Sequence, residues 1–256
     1  MRADTIPPVT WVLDLDGVVW LADQPIAGAG AAVARLRAAG RRVLFATNNS
    51  SVPVAEQEAK LARFGIAARG DVVTSAMAGA RLVEPGERVL VCGGPGIVEA
   101  VTARGAVAVR DGDADAVAVG FHRDFDYERL RVAARAVQRG ARLIATNDDP
   151  TYPTPEGPIP GGGAIVAAVA YATGVAPVVA GKPHRPMADL VRAIGGAEGT
   201  MVGDRPDTDG AFAHELGYRF ALVLSGVTRA ADLPVVPPPD MVADSLEALV
   251  AREQRQ

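Results

Sequence analysis

Short apolar runs alternate with longer amphipathic stretches from one end of the chain to the other. Strands that are buried on both faces of a parallel sheet are continuous apolar runs, whereas helices show a period of 3.6 residues. The predicted strands are Trp11 to Leu15, Arg42 to Ala46, Val72 to Thr74, Val89 to Cys92, Val107 to Val109, Ala116 to Val119, Leu143 to Ala145, Pro177 to Ala180, Thr200 to Val202 and Phe220 to Leu224. The predicted helices are Ala29 to Ala39, Val54 to Phe64, Ala76 to Val83, Tyr127 to Arg139, Gly162 to Ala172, Arg185 to Ile194, Thr208 to Leu216 and Ser245 to Arg252. This alternation predicts an α/β fold with a parallel sheet and crossover helices.

Four predicted strands are followed by polar clusters that differ from ordinary turns. They are Asp14-Leu15-Asp16-Gly17, Thr47-Asn48-Asn49-Ser50, Gly181-Lys182-Pro183 and Gly203-Asp204-Arg205. Ligands of open parallel sheets bind outside the carboxyl ends of the strands, so the four clusters are expected to share one crevice. Because two clusters come early and two come late, the sequence predicts a core domain formed by residues 1–77 and 179–256. Residues 78–178 have their own alternation of strands and helices and are predicted to form an inserted α/β cap.

The composition is that of an ordered protein, and it restricts the partners. The 256 residues are 49% apolar and 22% charged, with a net charge of -4. No basic stripe provides the electrostatic surface that nucleic acid binding requires. No stretch approaches the roughly 20 apolar residues of a membrane span, so we expect a cytoplasmic protein without a membrane partner. Cys92, the single cysteine, lies in an apolar strand and is expected to be a buried structural thiol.

The positive charges are almost all arginine. Of the 26 basic residues, only Lys60 and Lys182 are lysine. A lysine retained against this bias is a candidate for a place that needs a compact ammonium with three donors. Lys60 lies inside a predicted helix and is interpreted as a solvated surface residue. Lys182 follows an apolar strand and precedes a proline, so it is the candidate for a role in chemistry.

Asp14 and Asp16 form a pair of carboxylates directly after an apolar strand. Because one residue separates them, both side chains project to the same side of an extended backbone. Carboxylates held close together repel each other, which raises at least one pKa unless a cation neutralises them. Such a pair suits phosphoryl transfer, with Asp14 attacking phosphorus and Asp16 protonating the leaving oxygen and then activating water. A capped turn at the end of a strand is the alternative interpretation.

The second and third clusters supply groups that hold oxyanions. Thr47 offers a hydroxyl, and the peptide groups around Asn48 and Asn49 offer N–H donors. The alternative is that Ser50 or Ser51 caps the following helix. Lys182 would balance the charge between the nucleophile and the phosphoryl oxygens, and the alternative is a surface lysine.

The fourth cluster places three carboxylates at the junction between a strand and a helix. Mg²⁺ binds oxygen ligands and typically takes one or two protein carboxylates together with water and phosphate oxygens. Asp204, nearest the end of the strand, is the best candidate for a direct ligand. Asp207 and Asp209 are candidates to support the metal, or to cap the helix that follows.

Together these residues resemble the four motifs of the haloacid dehalogenase superfamily of phosphatases. The motifs are Asp14-Leu15-Asp16-Gly17-Val18, Thr47-Asn48-Asn49-Ser50, Gly181-Lys182-Pro183 and Gly203-Asp204-Arg205-Pro206-Asp207-Thr208-Asp209. The similarity extends over nearly the whole chain, including the stretch from Asn147 through Pro-Gly-Gly-Gly at 160–163. It is greatest to the branch of phosphoglycolate, glycerol phosphate, para-nitrophenyl phosphate, pyridoxal phosphate and nucleotide phosphatases.

The resemblance implies a Rossmann-like core with an inserted α/β cap. It also implies that Asp14 is the nucleophile and a Mg²⁺ ligand, that Asp16 is the acid/base and adds its backbone carbonyl to the metal, and that Asp204 is a ligand. Thr47, Asn48, Asn49 and Lys182 would hold the phosphate. In the cap, His122 stands in a loop that faces the substrate, where the family usually has Asp, and Asn147 is a further candidate.

The sequence therefore favours hydrolysis of a small phosphorylated metabolite, such as a sugar, glycerol, glycolate or nucleotide phosphate. A catalytically silent phosphate-binding or regulatory protein on the same fold is the main alternative. A dinucleotide-binding oxidoreductase is disfavoured, because no glycine cluster has the Gly-x-Gly-x-x-Gly spacing after a strand. Dehalogenation is disfavoured because the acidic triplet would then have no purpose. The sequence leaves open whether the cap also forms a homodimer.

Overall fold

The chain folds into fifteen strands and nine α-helices among the residues that the structure, a computed structural model, describes: 9–152, 154 and 156–253. The strands are β1 (Thr10–Leu13), β2 (Trp20–Leu21), β3 (Gln24–Pro25), β4 (Arg42–Thr47), β5 (Val72–Thr74), β6 (Arg88–Cys92), β7 (Val107–Val109), β8 (Ala116–Val119), β9 (Arg142–Ala145), β10 (Thr151–Tyr152), β11 (Ile159–Pro160), β12 (Val178–Val179), β13 (Gly199–Gly203), β14 (Arg219–Val223) and β15 (Met241–Ala243). The helices are α1 (Ala29–Ala38), α2 (Val54–Arg63), α3 (Ser75–Ala80), α4 (Pro95–Ala103), α5 (Tyr127–Gln138), α6 (Gly162–Thr173), α7 (Arg185–Gly195), α8 (Ala211–Leu216) and α9 (Leu246–Glu253). A π-helical turn, Pro206–Gly210, precedes α8. The predicted α/β fold class is confirmed.

A six-stranded sheet has the order β15-β14-β13-β1-β4-β5. Its central strand β1 pairs in parallel with both β13 and β4, with Thr10 opposite Gly199 on one side and Arg42 on the other. All four residues of β1 are buried, as expected for a strand covered on both faces. The carboxyl ends of β1, β4 and β13 therefore lie at the same edge of this sheet.

A second sheet of five strands has the order β12-β9-β8-β6-β7, and all of its pairs are parallel. Successive side chains point to opposite faces of a strand. In β6, Leu90 and Cys92 accordingly join one buried cluster with residues of α5 and α6. Val89 and Val91 join another with residues of α3 and α4. The apolar runs in this part of the chain thus form a sheet with helices on both faces.

The chain divides into two compact units, each formed by discontinuous segments. The first unit is Met1–Ala46, Lys60–Val72 and Ala188–Gln256, and the second is Thr47–Ala59 and Val73–Met187. The assignment of residues 1–77 and 179–256 to a catalytic core and of residues 78–178 to a cap stays a prediction. Over the described ranges, no helix combines the length and apolar character needed to cross a membrane.

The predicted and observed elements differ at five places. Helix α4 and the short hairpins β2-β3 and β10-β11 are absent from the prediction, as is the edge strand β15. The helix predicted from Thr208 instead starts as the π-helical turn and becomes α-helical at Ala211. The reason for the omission of α4 is that its Gly-Gly-Pro-Gly entry resembles a loop, although proline is favourable in the first turn of a helix.

Candidate active site

Two neighbouring parallel strands carry the first group of predicted site residues. Asp14 directly follows β1, and its backbone N–H donates to the carbonyl of Val202 in β13 (2.9 Å). Asp204 directly follows β13. One carboxylate oxygen from each of Asp14, Asp204 and Asp209 lies within 4.8 Å of the others. The structure thus brings three of the predicted acidic residues into one group, which we call the carboxylate cluster.

Two glycines allow the chain to approach Asp204 closely. Gly17 has a φ of 79°, and a Cβ at this position would lie 2.3 Å from Asp204 Oδ2. A Cβ at Gly226 would lie 2.0 Å from the same oxygen. The backbone N–H of Val227 donates to this oxygen (2.6 Å), and Ser225 Oγ donates to the carbonyl of Gly17 (2.7 Å). Asp204 is only 2% exposed. Stabilisation of its ionised carboxylate therefore requires such donors and positive charge in place of water.

Ser225, Gly226 and Val227 are not part of the site predicted from the sequence. They follow β14, which was predicted as a strand. The rule that ligands bind at the carboxyl ends of strands could have found them, because Ser-Gly after an apolar strand is a polar cluster like the other four.

Asp207 and Asp209 differ sharply in their surroundings. Asp209 is 1% exposed, and its Oδ2 accepts the backbone N–H groups of Asp204 and Arg205 (both 3.2 Å). Asp207 is exposed and pairs with Arg205 (3.0 Å). Within the described residues, Asp209 belongs to the carboxylate cluster and Asp207 does not. The position of Asp209 therefore suits support of a metal, whereas that of Asp207 suits a surface ion pair.

Asp16 lies in a tight loop after β1. The backbone N–H of Gly17 donates to the carbonyl of Trp20 (2.7 Å), which closes the loop. Trp20 Nε1 donates to Asp16 Oδ1 (2.9 Å). Asp16 is half-buried, and its role as the acid/base stays a prediction.

In the second unit, the side chain of Asn48 holds the segment that contains Lys182 by hydrogen bonds. Asn48 Oδ1 accepts the backbone N–H of Lys182 (2.8 Å), and Asn48 Nδ2 donates to the Lys182 carbonyl (3.0 Å) and to Asp149 Oδ2 (3.0 Å). The carbonyl of Asn48 accepts Ser75 Oγ (2.8 Å) and Asn147 Nδ2 (2.7 Å). The side chain of Asn48 is thus engaged with the protein, and any direct contact with phosphate falls to its backbone N–H.

Thr47, the last residue of β4, forms a compact turn with Asn49 and Ser51. Thr47 Oγ1 accepts the backbone N–H of Asn49 (3.0 Å). Asn49 Oδ1 accepts both the N–H and the hydroxyl of Ser51 (3.0 and 2.9 Å). At the start of α2, Glu99 Oε2 of α4 accepts the N–H of Val54 (2.8 Å), and a serine cap on this helix stays an alternative. The turn is therefore organised around Thr47 and Asn49 rather than around the helix.

Lys182 is 2% exposed, so the alternative of a surface lysine is wrong. Next to it, His184 Nε2 lies 2.9 Å from Asp148 Oδ2. The hydrogen bond with His184 holds the pKa of the Asp148 carboxyl below its ordinary value. Together with Asn48, this pair fixes the Lys182 segment to the loop after β9.

The two predicted cap residues are both buried. Asn147 is 3% exposed; besides its bond to Asn48, its Oδ1 accepts the N–H of Asp149 (3.2 Å). His122 is 6% exposed, and its Nδ1 lies 3.0 Å from the carbonyl of Gly120. His122 Nε2 has no hydrogen-bond partner within the part of the chain that the structure describes. A role for either residue in contacting substrate stays a prediction.

The interpretation of Lys60 as a solvated surface residue is wrong. Its side chain is 20% exposed, and Nζ donates to the carbonyl of Ala22 (2.8 Å) and to Asp23 Oδ1 (3.2 Å). The same ammonium lies 4.4 Å from the ring centroid of Trp20. Both lysines of the chain therefore occupy specific, largely buried positions.

Comparisons with known proteins agree on one family. A family model described as haloacid dehalogenase-like hydrolase matches residues 11–107, and a second, HAD-hydrolase-like model matches residues 179–249. The chain is 39% identical to the D-glycerol 3-phosphate phosphatase of Mycobacterium tuberculosis, over 93% of this chain and 70% of that protein. It is 35% identical to the acid sugar phosphatase of Staphylococcus saprophyticus, over 95% of this chain and 98% of that protein. A crystal structure of the glycerol phosphate phosphatase from Mycobacterium tuberculosis in complex with magnesium superposes with a TM-score of 0.86, at 38% identity over 94% of this chain and 75% of that one.

Proposed function

Because the chain belongs to the haloacid dehalogenase-like hydrolases, we propose that it is a Mg²⁺-dependent phosphatase that hydrolyses a small phosphomonoester. The observation that carries the proposal is the carboxylate cluster of Asp14, Asp204 and Asp209. Three carboxylates this close repel one another unless a cation neutralises them.

The residues of the cluster fit Mg²⁺. Carboxylate oxygens are the ligands that this ion prefers, and Asp14 and Asp204 together supply the one or two protein carboxylates that it usually takes. Asp16 would add its backbone carbonyl, and Asp209 would hold the Asp204 segment through its two backbone bonds. When bound, the ion would spread the negative charge of the phosphoryl oxygens.

In the proposed reaction, a carboxylate oxygen of Asp14 attacks phosphorus while the bond from phosphorus to the leaving oxygen breaks. Asp16 gives its proton to that oxygen, so the product leaves as a neutral alcohol. A water molecule then attacks the phosphorus of the aspartyl phosphate and gives a proton to Asp16, and inorganic phosphate leaves Asp14. The cycle returns both aspartates to their starting states.

Four residues of the second unit would hold the phosphoryl oxygens: Thr47, Asn48, Asn49 and Lys182. The fixed backbone and the burial of Lys182, which is 2% exposed, support this role, since a long side chain packed among other residues has few conformations open to its ammonium. For Asn48 the contact would come from its backbone N–H. Such preorganised donors stabilise developing charge without rearrangement during the reaction.

The substrate is proposed at the level of a class: a sugar, glycerol, glycolate or nucleotide phosphate. Two similar proteins are named D-glycerol 3-phosphate phosphatase and acid sugar phosphatase, and these names support a glycerol phosphate or a sugar phosphate. Residues 78–178 would select among these substrates, with His122 and Asn147 as candidate contacts. A homodimer formed through the cap and a cytoplasmic location stay predictions.

The proposal is tested by phosphate release from a panel of phosphomonoesters, with and without Mg²⁺, in the wild type and in Asp14→Asn. We expect Mg²⁺-dependent turnover of para-nitrophenyl phosphate and at least one metabolite, and none above background in Asp14→Asn. Full activity of Asp14→Asn would reject the assigned nucleophile. A wild-type protein that binds phosphate without turnover would favour the alternative of a catalytically silent binding protein.

A further inference from the structure

The indole of Trp20 is directed at the carboxylate of Asp16. The chain between them forms a closed loop, in which the Trp20 N–H donates to the carbonyl of Leu15 (3.1 Å) and the Trp20 carbonyl accepts the N–H of Gly17 (2.7 Å). This loop returns the side chain of Trp20 to Asp16, where Nε1 donates to Oδ1 at 2.9 Å. Trp20 is 2% exposed, so its indole N–H has little access to water other than through Asp16.

Lys60 and Phe64 contact the ring of Trp20. The Lys60 ammonium lies 4.4 Å from the ring centroid, within the range of a cation–π interaction. The remaining donors of Lys60 reach the carbonyl of Ala22 and the carboxylate of Asp23 in the turn between β2 and β3. Phe64 packs edge-on against the indole, with 6.0 Å between the ring centroids. The compact ammonium of Lys60 therefore contacts the ring and both oxygens at the same time.

We propose that Trp20 is a positioning residue that determines which oxygen of Asp16 carries the transferred proton. This inference rests on the proposed phosphatase function. An indole N–H can only donate, so Oδ1 acts as the acceptor and the carboxyl proton is directed to Oδ2. Oδ2 is then the oxygen that protonates the leaving group and later takes the proton from water.

The proposal predicts a dependence on the leaving group. An alkoxide is a poor leaving group and needs the proton of Asp16 as the bond to phosphorus breaks, whereas para-nitrophenolate leaves readily without it. The ratio kcat/KM reports the steps up to departure of the leaving group. Misplacing the proton should therefore lower kcat/KM for an alkyl phosphate more than for para-nitrophenyl phosphate, whereas general damage to the fold should lower both equally.

The test compares kcat/KM for glycerol 3-phosphate, or the best alkyl phosphate in the panel, with kcat/KM for para-nitrophenyl phosphate. Trp20→Phe removes the N–H and retains a ring beneath Lys60. The matched control is Trp11→Phe, at the only other tryptophan, which is buried in β1. We expect the alkyl-to-aryl ratio to fall roughly tenfold in Trp20→Phe, a part of what general acid catalysis contributes, and to stay unchanged in Trp11→Phe.

An unchanged ratio in Trp20→Phe, or an equal fall in Trp11→Phe, would overturn the proposal. If Trp20→Phe does not fold, site-specific incorporation of 3-benzothienylalanine at position 20 retains the shape of tryptophan and replaces the N–H by sulfur. The same fall in the ratio is expected, and a wild-type ratio in this variant would overturn the proposal. A wild-type protein without Mg²⁺-dependent turnover would instead reject the underlying function.

Discussion

Asp207 and Asp209 are separated by one residue, yet their carboxylates have opposite surroundings. Asp209 is buried and bonded to two backbone N–H groups, whereas Asp207 is exposed and paired with an arginine. An exposed ion pair contributes little to stability, while a buried carboxylate that orients a ligand loop affects the ligand directly. The two residues therefore form a matched pair for testing the carboxylate cluster.

We expect Asp209→Asn to raise the Mg²⁺ concentration required for half-maximal activity by about tenfold or more, as for other residues that orient metal ligands. Asp207→Asn should leave this concentration within about twofold of the wild type, because its partner is at the surface. A Mg²⁺ titration of phosphatase activity in the three proteins measures both effects. Equal shifts in the two variants would contradict the assignment.

The sequence identified candidate residues, but not the contacts that they make. The spacing of Asp14 and Asp16 made them candidates, and Lys182 was singled out by its position after a strand and by the scarcity of lysine. The hydrogen bonds between the Asn48 side chain and the backbone of Lys182 were not predictable, because Lys182 lies 134 residues further along the chain. The setting of Lys60 was missed for the same reason, since its Trp20 partner lies outside its helix.

At the level of elements, β6 shows how a strand buried on both faces controls the chemistry of its side chains. Cys92 ends this strand and packs with residues of β8, β9, α5 and α6, at 2% exposure. Burial raises the pKa of its thiol from 9.0 to about 11. This agrees with the interpretation of a structural thiol made from the apolar run alone.

The raised pKa predicts a loss of stability at high pH. Below about pH 9 the thiol is protonated in both the folded and unfolded states and contributes no pH dependence. Between about pH 9 and pH 11 the unfolded chain loses the proton first, so the free energy of unfolding should fall by up to about 3 kcal/mol. Urea unfolding of the wild type and Cys92→Ala measures this, and the difference between the two proteins should change over that range. Parallel pH profiles would show that the thiol is not held in its neutral form.

Most elements were predictable because buried parallel strands and amphipathic helices leave strong periodic patterns. Strands such as β5, β7 and β8 were predicted to the residue. Helix α4 was missed because its residues are mostly apolar, which removes the contrast between its faces, and because its N-cap and first turn together contain two glycines and a proline. The two-residue hairpins lie below the length at which alternation can be recognised.

At the scale of the whole molecule, each compact unit is assembled from segments that are far apart in the sequence. The first unit joins the beginning of the chain to its end, which accounts for the pairing of β1 with β13. The positions of the polar clusters predicted a discontinuous arrangement, because a crevice at strand ends needs neighbouring strands. The bounds of the units were not predictable to the residue, since strands β4 and β5 and helices α2 and α7 run across them.

Transfer of the phosphoryl group to Asp14 is the central step of the proposed reaction. The direct measurement is to mix Asp16→Asn, in which hydrolysis of the intermediate should be slow, with para-nitrophenyl phosphate and Mg²⁺, and to quench with acid. Borohydride then reduces an acyl phosphate to an alcohol, so mass spectrometry should find homoserine at position 14. Release of nitrophenol with an unmodified Asp14, or with the phosphoryl group on another residue, would contradict the account.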